Sequence, residues 1–485
     1  MIRDSDLAGG SGAARRLRAR CLLIGLMLGA LLVPSSARAQ DGVVLLGDLS
    51  AFEPAGSNWS VAGAVVGTWD GPLTARPGTG VLVNTPRPGA MANLYTRLEH
   101  EDVYFSVEVM MPAGSNSGIY FQSRYEIQLL DSWGTSHPQH SDIGGVYQRW
   151  DPTRGEGREG YEGVPPRLNA ALAPGLWQRL DVVFRAARVA ADGTLLRAPR
   201  FERVVLNGVV LHEDVFLSGP TRGGDASPLV GPAPLMIQGD HGPVAFRNLV
   251  VRPLQDTDSQ DDADRWVDAE REGRVAQRVP REDRPMVFRA MIWEEDRPFS
   301  HAAYLGFPEG VAVGLDLHTG ALLRWWRGAF LDVHPMWSDR AYDQRALELG
   351  ALRKMPAVLP FVPGPPETVA LQRARPSDRP EGYRGYTISP GAIEIDHPSF
   401  SQRWEVARRG PAAVLTRTVR AAEAGWVVIA HAEAIRTIAP GSFNIDGQYY
   451  VEVEQSAEIV AGADGAATLR VYLTAGAVAT STYIW

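Results

Sequence analysis

Two residue types are nearly missing from this 485-residue chain. It holds one cysteine, Cys21, and one lysine, Lys354, among 48 basic residues. The scarcity of lysine reads as a coding bias of a GC-rich genome, without functional meaning. The scarcity of cysteine excludes more. Cys21 lies at the head of an apolar run, CLLIGLMLGALLV (21–33), preceded by Arg15, Arg16, Arg18 and Arg20 and followed by Ala37-Arg38-Ala39. That order of charge, apolar core and small-x-small site predicts a signal peptide over 1–39, with Gln40 as the mature start. The remainder has no cysteine, so disulfides, thiolate metal sites, thiol catalysis and covalently attached haem are excluded. Long apolar runs are also missing. Thirteen residues are too few to cross a bilayer, and no other run approaches the roughly 18 required, so no membrane span is expected. The expected location is secreted or periplasmic.

Positive charge is in deficit. The chain carries −8, and the first 39 residues hold six Arg and two Asp, which leaves −12 for the rest. An acidic chain of this kind is a poor match for nucleic acid. Glycine and proline are plentiful (50 and 35 residues), as in a β-protein rich in turns.

Short alternating runs dominate what is present. VYFSVEVMM (103–111), GIYFQSRYEIQLLD (118–131), LDVVFRAARV (180–189), FERVVLNGVVLHEDV (201–215), PLMIQ (234–238) and VAFRNLVVRPL (244–254) read as strands, and Asn207-Gly208 reads as a tight hairpin turn. Strands without helices between them predict an all-β, two-sheet sandwich over 43–254. Residues 255–285 open with five Asp within 256–264 and read as an acidic linker containing a possible short helix. The β pattern resumes over 286–485, where a second β-sandwich-like domain of unknown role is expected.

The stretch 115–134 holds the richest chemistry. Alternation places Arg124, Glu126 and Gln128 on one face and Tyr125, Ile127 and Leu129 on the other. Asp131 has the opposite parity and would join Glu126 only through a one-residue bulge. Trp133 and Trp150 are candidates for stacking on a sugar ring, or for the core. Asp240 and His241 sit in a Gly-Asp-His-Gly turn, where an exposed histidine suits proton transfer. No ligand spacing for a metal is present, and no cofactor is expected. In the C-terminal half, Trp325, Trp326, Trp337 and Asp332 offer either a sugar surface or a packed core.

The spacing Glu126-x-Gln128-x-x-Asp131 resembles the carboxylate strand of laminarinase-type glycoside hydrolases, although Gln128 replaces the central Asp and Asp131 is shorter than Glu. NSGIYFQSRYEIQLLDS, GGVY, NAALAPGLWQRLDVVFRAAR (169–188), LNGVVLHE and PLMIQGDHGPVAFRNLVVRPL occur in the order of one family. The segment of about 45–253 is similar to the 3-keto-disaccharide hydrolase domain, also described as 3-keto-glucoside-1,2-lyase and 3-keto-2-hydroxy-glucal hydratase. The resemblance implies a concanavalin-like jelly roll. It also implies an enzyme acting on glycosides whose C3 hydroxyl is already a ketone, supplied by a separate sugar 3-dehydrogenase. On this reading the substrate loses its C2 proton, expels the C1 aglycone and is rehydrated. Glu126, Asp131 and His241 are the titratable candidates, while Arg124, Gln128, Trp133, Trp150 and Asp240 would bind substrate. Asn116, Asn169 and Arg247 also match family motif positions. A non-catalytic carbohydrate-binding protein and a laminarinase-like hydrolase are the alternatives. RPMVFRAMIW, residues 303–340 and GYTISPGAIEID resemble a β-rich module found beside cytochrome domains in large exported bacterial dehydrogenase-like proteins, but this chain has no CxxCH motif.

Overall fold

The computed structural model describes residues 44, 46–228, 231–254, 278–294, 297–338, 345–367, 373–374, 382–462 and 465–485. The signal segment 1–39 and most of the acidic linker lie outside these residues. The described part of the linker begins at Arg278–Val279, a short strand paired with Leu331 and Asp332.

The described chain is almost entirely antiparallel β. In the first half, a seven-stranded sheet runs Trp59–Val66, Thr74–Asn84, Val244–Pro253, Val103–Met110, Gln178–Arg185, Arg200–Leu206, Val209–Phe216. A four-stranded sheet runs Leu94–His100, Ala233–Ile237, Asn116–Phe121, Tyr125–Leu130. Their facing residues form one core. Phe105, Val107 and Val109 come from the larger sheet, with Val182 and Phe184, and Ile119, Phe121, Tyr125, Ile127 and Leu129 come from the smaller. At its centre, Phe121 lies 5.3–5.4 Å from Phe105, Phe184 and Phe201, ring centroid to centroid. Alternation in the sequence is therefore a direct record of which side chains leave water. Asn207 and Gly208 take φ of 53° and 81° and close the hairpin between Arg200–Leu206 and Val209–Phe216, as their composition predicts.

One expected strand is two. The run 118–131 folds back on itself: Gln122 and Ser123 adopt φ of 51° and 56°, and Phe121 pairs with Tyr125 across them. Neither residue is glycine or asparagine, so composition gave no turn signal. The turn is held from outside instead. Gln122 Nε2 donates to the carbonyls of His100 and Gly231, and Ser123 Oγ donates to Pro234 O.

The second half continues with a six-stranded sheet, an eight-stranded sheet and a four-stranded sheet. Trp325 and Trp326 are fully buried. Trp325 stacks on Trp485 at 5.1 Å and meets Tyr449 and Tyr483 edge-on or tilted, so these tryptophans pack a core. The side chain of Trp337 lies outside the described part. Residues 41–485 form one compact unit. Trp133, Leu172, Ala173 and Leu176 of the first half join the core of the second. Trp133 Nε1 donates to Trp485 O at 2.8 Å, and the Tyr450 hydroxyl donates to Gly67 O and Pro174 O.

Candidate active site on the outer face of the small sheet

The site follows from register. In the small sheet, Ile119 pairs with both Ile127 and Ile237, so these residues and their i±2 neighbours face the core. The intervening residues share the opposite face. Asn116, Gly118 and Tyr120 lie on one strand, Glu126 and Gln128 on the next, and Met236 and Gln238 on the other side. Gly118 is opposite Gln128, and Gln238 N donates to Gly118 O at 2.9 Å, so Gln238, Gly118 and Gln128 form one rung about 4.8 Å apart. The next rung is Met236, Tyr120, Glu126. Residues 144–147 add to the free edge: Gln128 N donates to Gly145 O, Gly144 N to Gln128 O and Tyr147 N to Glu126 O.

The centre of this face is a carboxyl above a bare glycine. A Cβ on Gly118 would lie 2.1 Å from Glu126 Oε1, so only glycine leaves room for the side chain. Glu126 is 2% exposed. With its amide nitrogen turned toward the carboxyl, Gln128 donates to Glu126 Oε1 at 2.9 Å and to Ser117 O at 3.0 Å. Glu126 Oε2 is buried and has no protein partner. Burial pushes the Glu126 carboxyl up to about 8; a hydrogen bond from Tyr120 opposes the rise, and the negative charge of Asp240 adds to it. Burial holds the Tyr120 phenol well above its usual range, with Glu126, Tyr147 and Asp240 contributing in the same direction, so Tyr120 remains a proton donor. Its hydroxyl donates to Arg222 O at 3.2 Å.

Asp240 and His241 reach this face on a turn fixed by buried amides. Asn84 Nδ2 donates to Gly239 O and Gly242 O, and Asn58 Nδ2 donates to Asn84 Oδ1. The bracketing glycines are steric requirements, because a Cβ on Gly239 would lie 2.1 Å from Ala92 O and one on Gly242 would lie 2.6 Å from Ser115 Oγ. His241 Nδ1 bonds Asp240 Oδ1 at 2.5 Å, and both side chains are partly exposed.

The structure thus gathers Glu126, Gln128 and Asp240 with its partner His241. Other expected residues lie elsewhere. The hairpin pairs without a bulge from Asn116↔Leu130 to Phe121↔Tyr125, so nothing rotates Asp131 toward Glu126. Asp131 instead accepts from Gly114 N and Trp133 N, tying down the turn before the hairpin. The carboxylate that influences Glu126 is Asp240. Arg124 belongs to the turn, and its guanidinium donates to the carbonyls of Asp225, Ser227 and Pro228. Trp133 is buried against the second half. Trp150 is 39% exposed, and the Arg222 guanidinium lies 3.9 Å from its ring centroid. Because Arg222 N donates to Gln148 O and Arg222 O meets Tyr120, this pair forms the rim of the site.

Sequence reasoning passed over Tyr120, Tyr147, Gly118 and Gln238. Tyr120 and Gly118 had the right parity within GIYF, a signal hidden by treating 118–131 as one strand. Asn169 donates to Ser132 O and Thr135 O, and Arg247 pairs with Glu108, so both hold loops and strands. Among the described residues, no group of three or more His, Cys, Asp or Glu is arranged to hold a metal ion.

Residues 43–252, a little under half the chain, match the model of the 3-keto-alpha-glucoside-1,2-lyase-like domain family. No curated protein matches the chain. Among solved structures, three proteins of Parabacteroides distasonis, each titled a "putative glycosyl hydrolase", are similar over 44% of this chain. The first shares 23% identity over 84% of its own length with a TM-score of 0.29, the second 18% over 99% with 0.29, and the third 16% over 89% with 0.24.

Proposed function

We propose that the domain at 43–252 is a carbohydrate-active enzyme that cleaves 3-keto-glycosides, in an exported protein supplied with substrate by a separate sugar 3-dehydrogenase. The observation that carries this reading is a buried carboxyl at about 8, centred on a polar sheet face beside a phenol that stays protonated. A C3 ketone acidifies the C2 proton, which a base of this strength can remove. Glu126 is mostly protonated at pH 7, and its ionised form is a far stronger base than an ordinary carboxylate.

On this reading Glu126 takes the C2 proton, and the electron pair of the C–H bond forms an enolate. Tyr120 donates a hydrogen bond to the developing enolate oxygen. The enolate re-forms the ketone, a C1=C2 double bond forms and the C1–O bond breaks. The leaving oxygen takes a proton from the exposed Asp240–His241 pair. Water then adds across C1=C2, hydroxyl to C1 and proton to C2, giving a free 3-keto sugar. Trp150 and Arg222 at the rim would meet the aglycone.

The test is to incubate the protein with 3-keto-trehalose or 3-keto-lactose and with the unoxidised sugars, monitoring 3-ketoglucose and the 2-hydroxyglucal intermediate. Cleavage of the keto forms alone is expected. Cleavage of the unoxidised sugars would favour a laminarinase-like hydrolase, and binding without turnover would favour a carbohydrate-binding module.

A further inference from the structure

Three buried oxygen atoms on the outer face of the small sheet have no protein partner: Asn116 Oδ1, Glu126 Oε2 and Gln238 Oε1. Buried polar atoms are almost always paired, because an orphan forfeits its hydration without return. Three orphans of one kind on one face therefore indicate a place where a ligand supplies the bonds. Register puts them around a single point. Gln238 is opposite Gly118, Asn116 precedes Gly118 by two residues on the same strand, and the Glu126 carboxyl leans over Gly118. Neighbours at these positions lie about 5–7 Å apart, within the span of one hexose ring and its hydroxyls.

Beside them, the Gln128 amide is already directed to Glu126 Oε1 and Ser117 O. We propose that Asn116 and Gln238, beside the Glu126 carboxyl, form a subsite whose amide oxygens take O–H donors from an uncharged hexose ring, making Asn116 and Gln238 specificity-determining residues. This deepens the proposed function and rests on it for the identity of the ring. It adds an orientation. A ketone oxygen cannot donate to these amide oxygens, which leaves it the Tyr120 side of the ring, where the phenol O–H can turn from Arg222 O to meet it. Carboxylate or phosphate groups on the ring cannot donate either, so uronic acids and sugar phosphates are selected against.

The test uses glucosides lacking one hydroxyl at a time, together with the matching deoxyfluoro analogues, which keep the size of the group but cannot donate. Binding is measured by calorimetry for both the 3-keto disaccharide and its unoxidised parent, and KM and kcat are measured for the keto form. At one or two ring positions, loss of the donor is expected to weaken binding about 10- to 100-fold, equally for deoxy and fluoro analogues. That sensitivity should disappear in Asn116→Leu and Gln238→Met, which should raise KM with little change in kcat. Asn116→Asp retains an acceptor and should restore discrimination between parent and fluoro analogue. Uniform tolerance of every deoxyfluoro analogue would overturn the proposal, as would unchanged KM in both apolar variants, or binding of neither sugar. If the parent sugar binds with the expected pattern and no keto sugar is turned over, the proposed function fails and the subsite stands.

Discussion

Replacing Glu126 with Gln separates catalysis from stability, because the carboxyl proposed as the base is one the fold resists ionising. Raising a carboxyl from 4.5 to about 8 costs its ionised state about 5 kcal/mol. The sign follows from proton counts. Below pH 4.5 the residue is protonated in both native and unfolded chains and makes no difference. Between 4.5 and 8 the unfolded chain releases the proton and the native one keeps it, so stability falls as pH rises; above 8 the full cost is present. The glutamine side chain of the variant has no proton to lose, and its carbonyl oxygen can accept the Gln128 bond now made to Oε1. Urea unfolding followed by tryptophan fluorescence from pH 4.5 to 9 should therefore show parent and Glu126→Gln alike at the acid end. The variant should be increasingly favoured toward pH 8, by up to about 5 kcal/mol. Turnover of a keto-glycoside should fall by about 10²- to 10⁴-fold in the same variant. Parallel stability curves across this range would refute the buried-carboxyl argument. Undiminished turnover would refute the role of Glu126 as base.

Three further outcomes are expected. Gly118→Ala places a methyl group 2.1 Å from Glu126 Oε1, so the carboxyl must move; activity should drop about 100-fold while the circular dichroism of the β-sheets is unchanged. Asp240→Asn removes the negative charge that helps raise Glu126, so the carboxyl ionises at lower pH and the rising limb of the pH–rate profile should shift toward acid. Trp133→Ala empties a buried position shared by the two halves and should cost about 3–5 kcal/mol in unfolding free energy, with sugar affinity in the folded protein retained.

The legible part of this molecule was its periodicity. Alternating valines and phenylalanines placed the core strands, and the parity of Glu126 and Gln128 put them on the polar face they occupy. Three-dimensional exceptions to period two were not legible. The turn at Gln122–Ser123 carries no glycine and depends on bonds to residues about 20 to 110 positions away. Asp131 required a bulge that the hairpin lacks, and the carboxylate whose charge acts on Glu126 is Asp240, 114 residues later, on a turn held by Asn58 and Asn84. No local pattern reports such long-range contacts. Trp133 and Trp150 look equivalent as letters, yet one is buried against Trp485 and the other is on the rim.

The shared joint at Trp133, Leu172, Ala173, Leu176 and Trp485 bears on modularity. A family domain that ends near residue 252 invites treatment as a portable cassette, to be cloned alone or moved between hosts. Cutting there would strip the cover from these apolar side chains and leave the Trp133 indole N–H without its carbonyl. Such a fragment would present a sticky face of the kind that drives self-association. In this chain, the end of the family match near residue 252 therefore falls between two parts that share one apolar core.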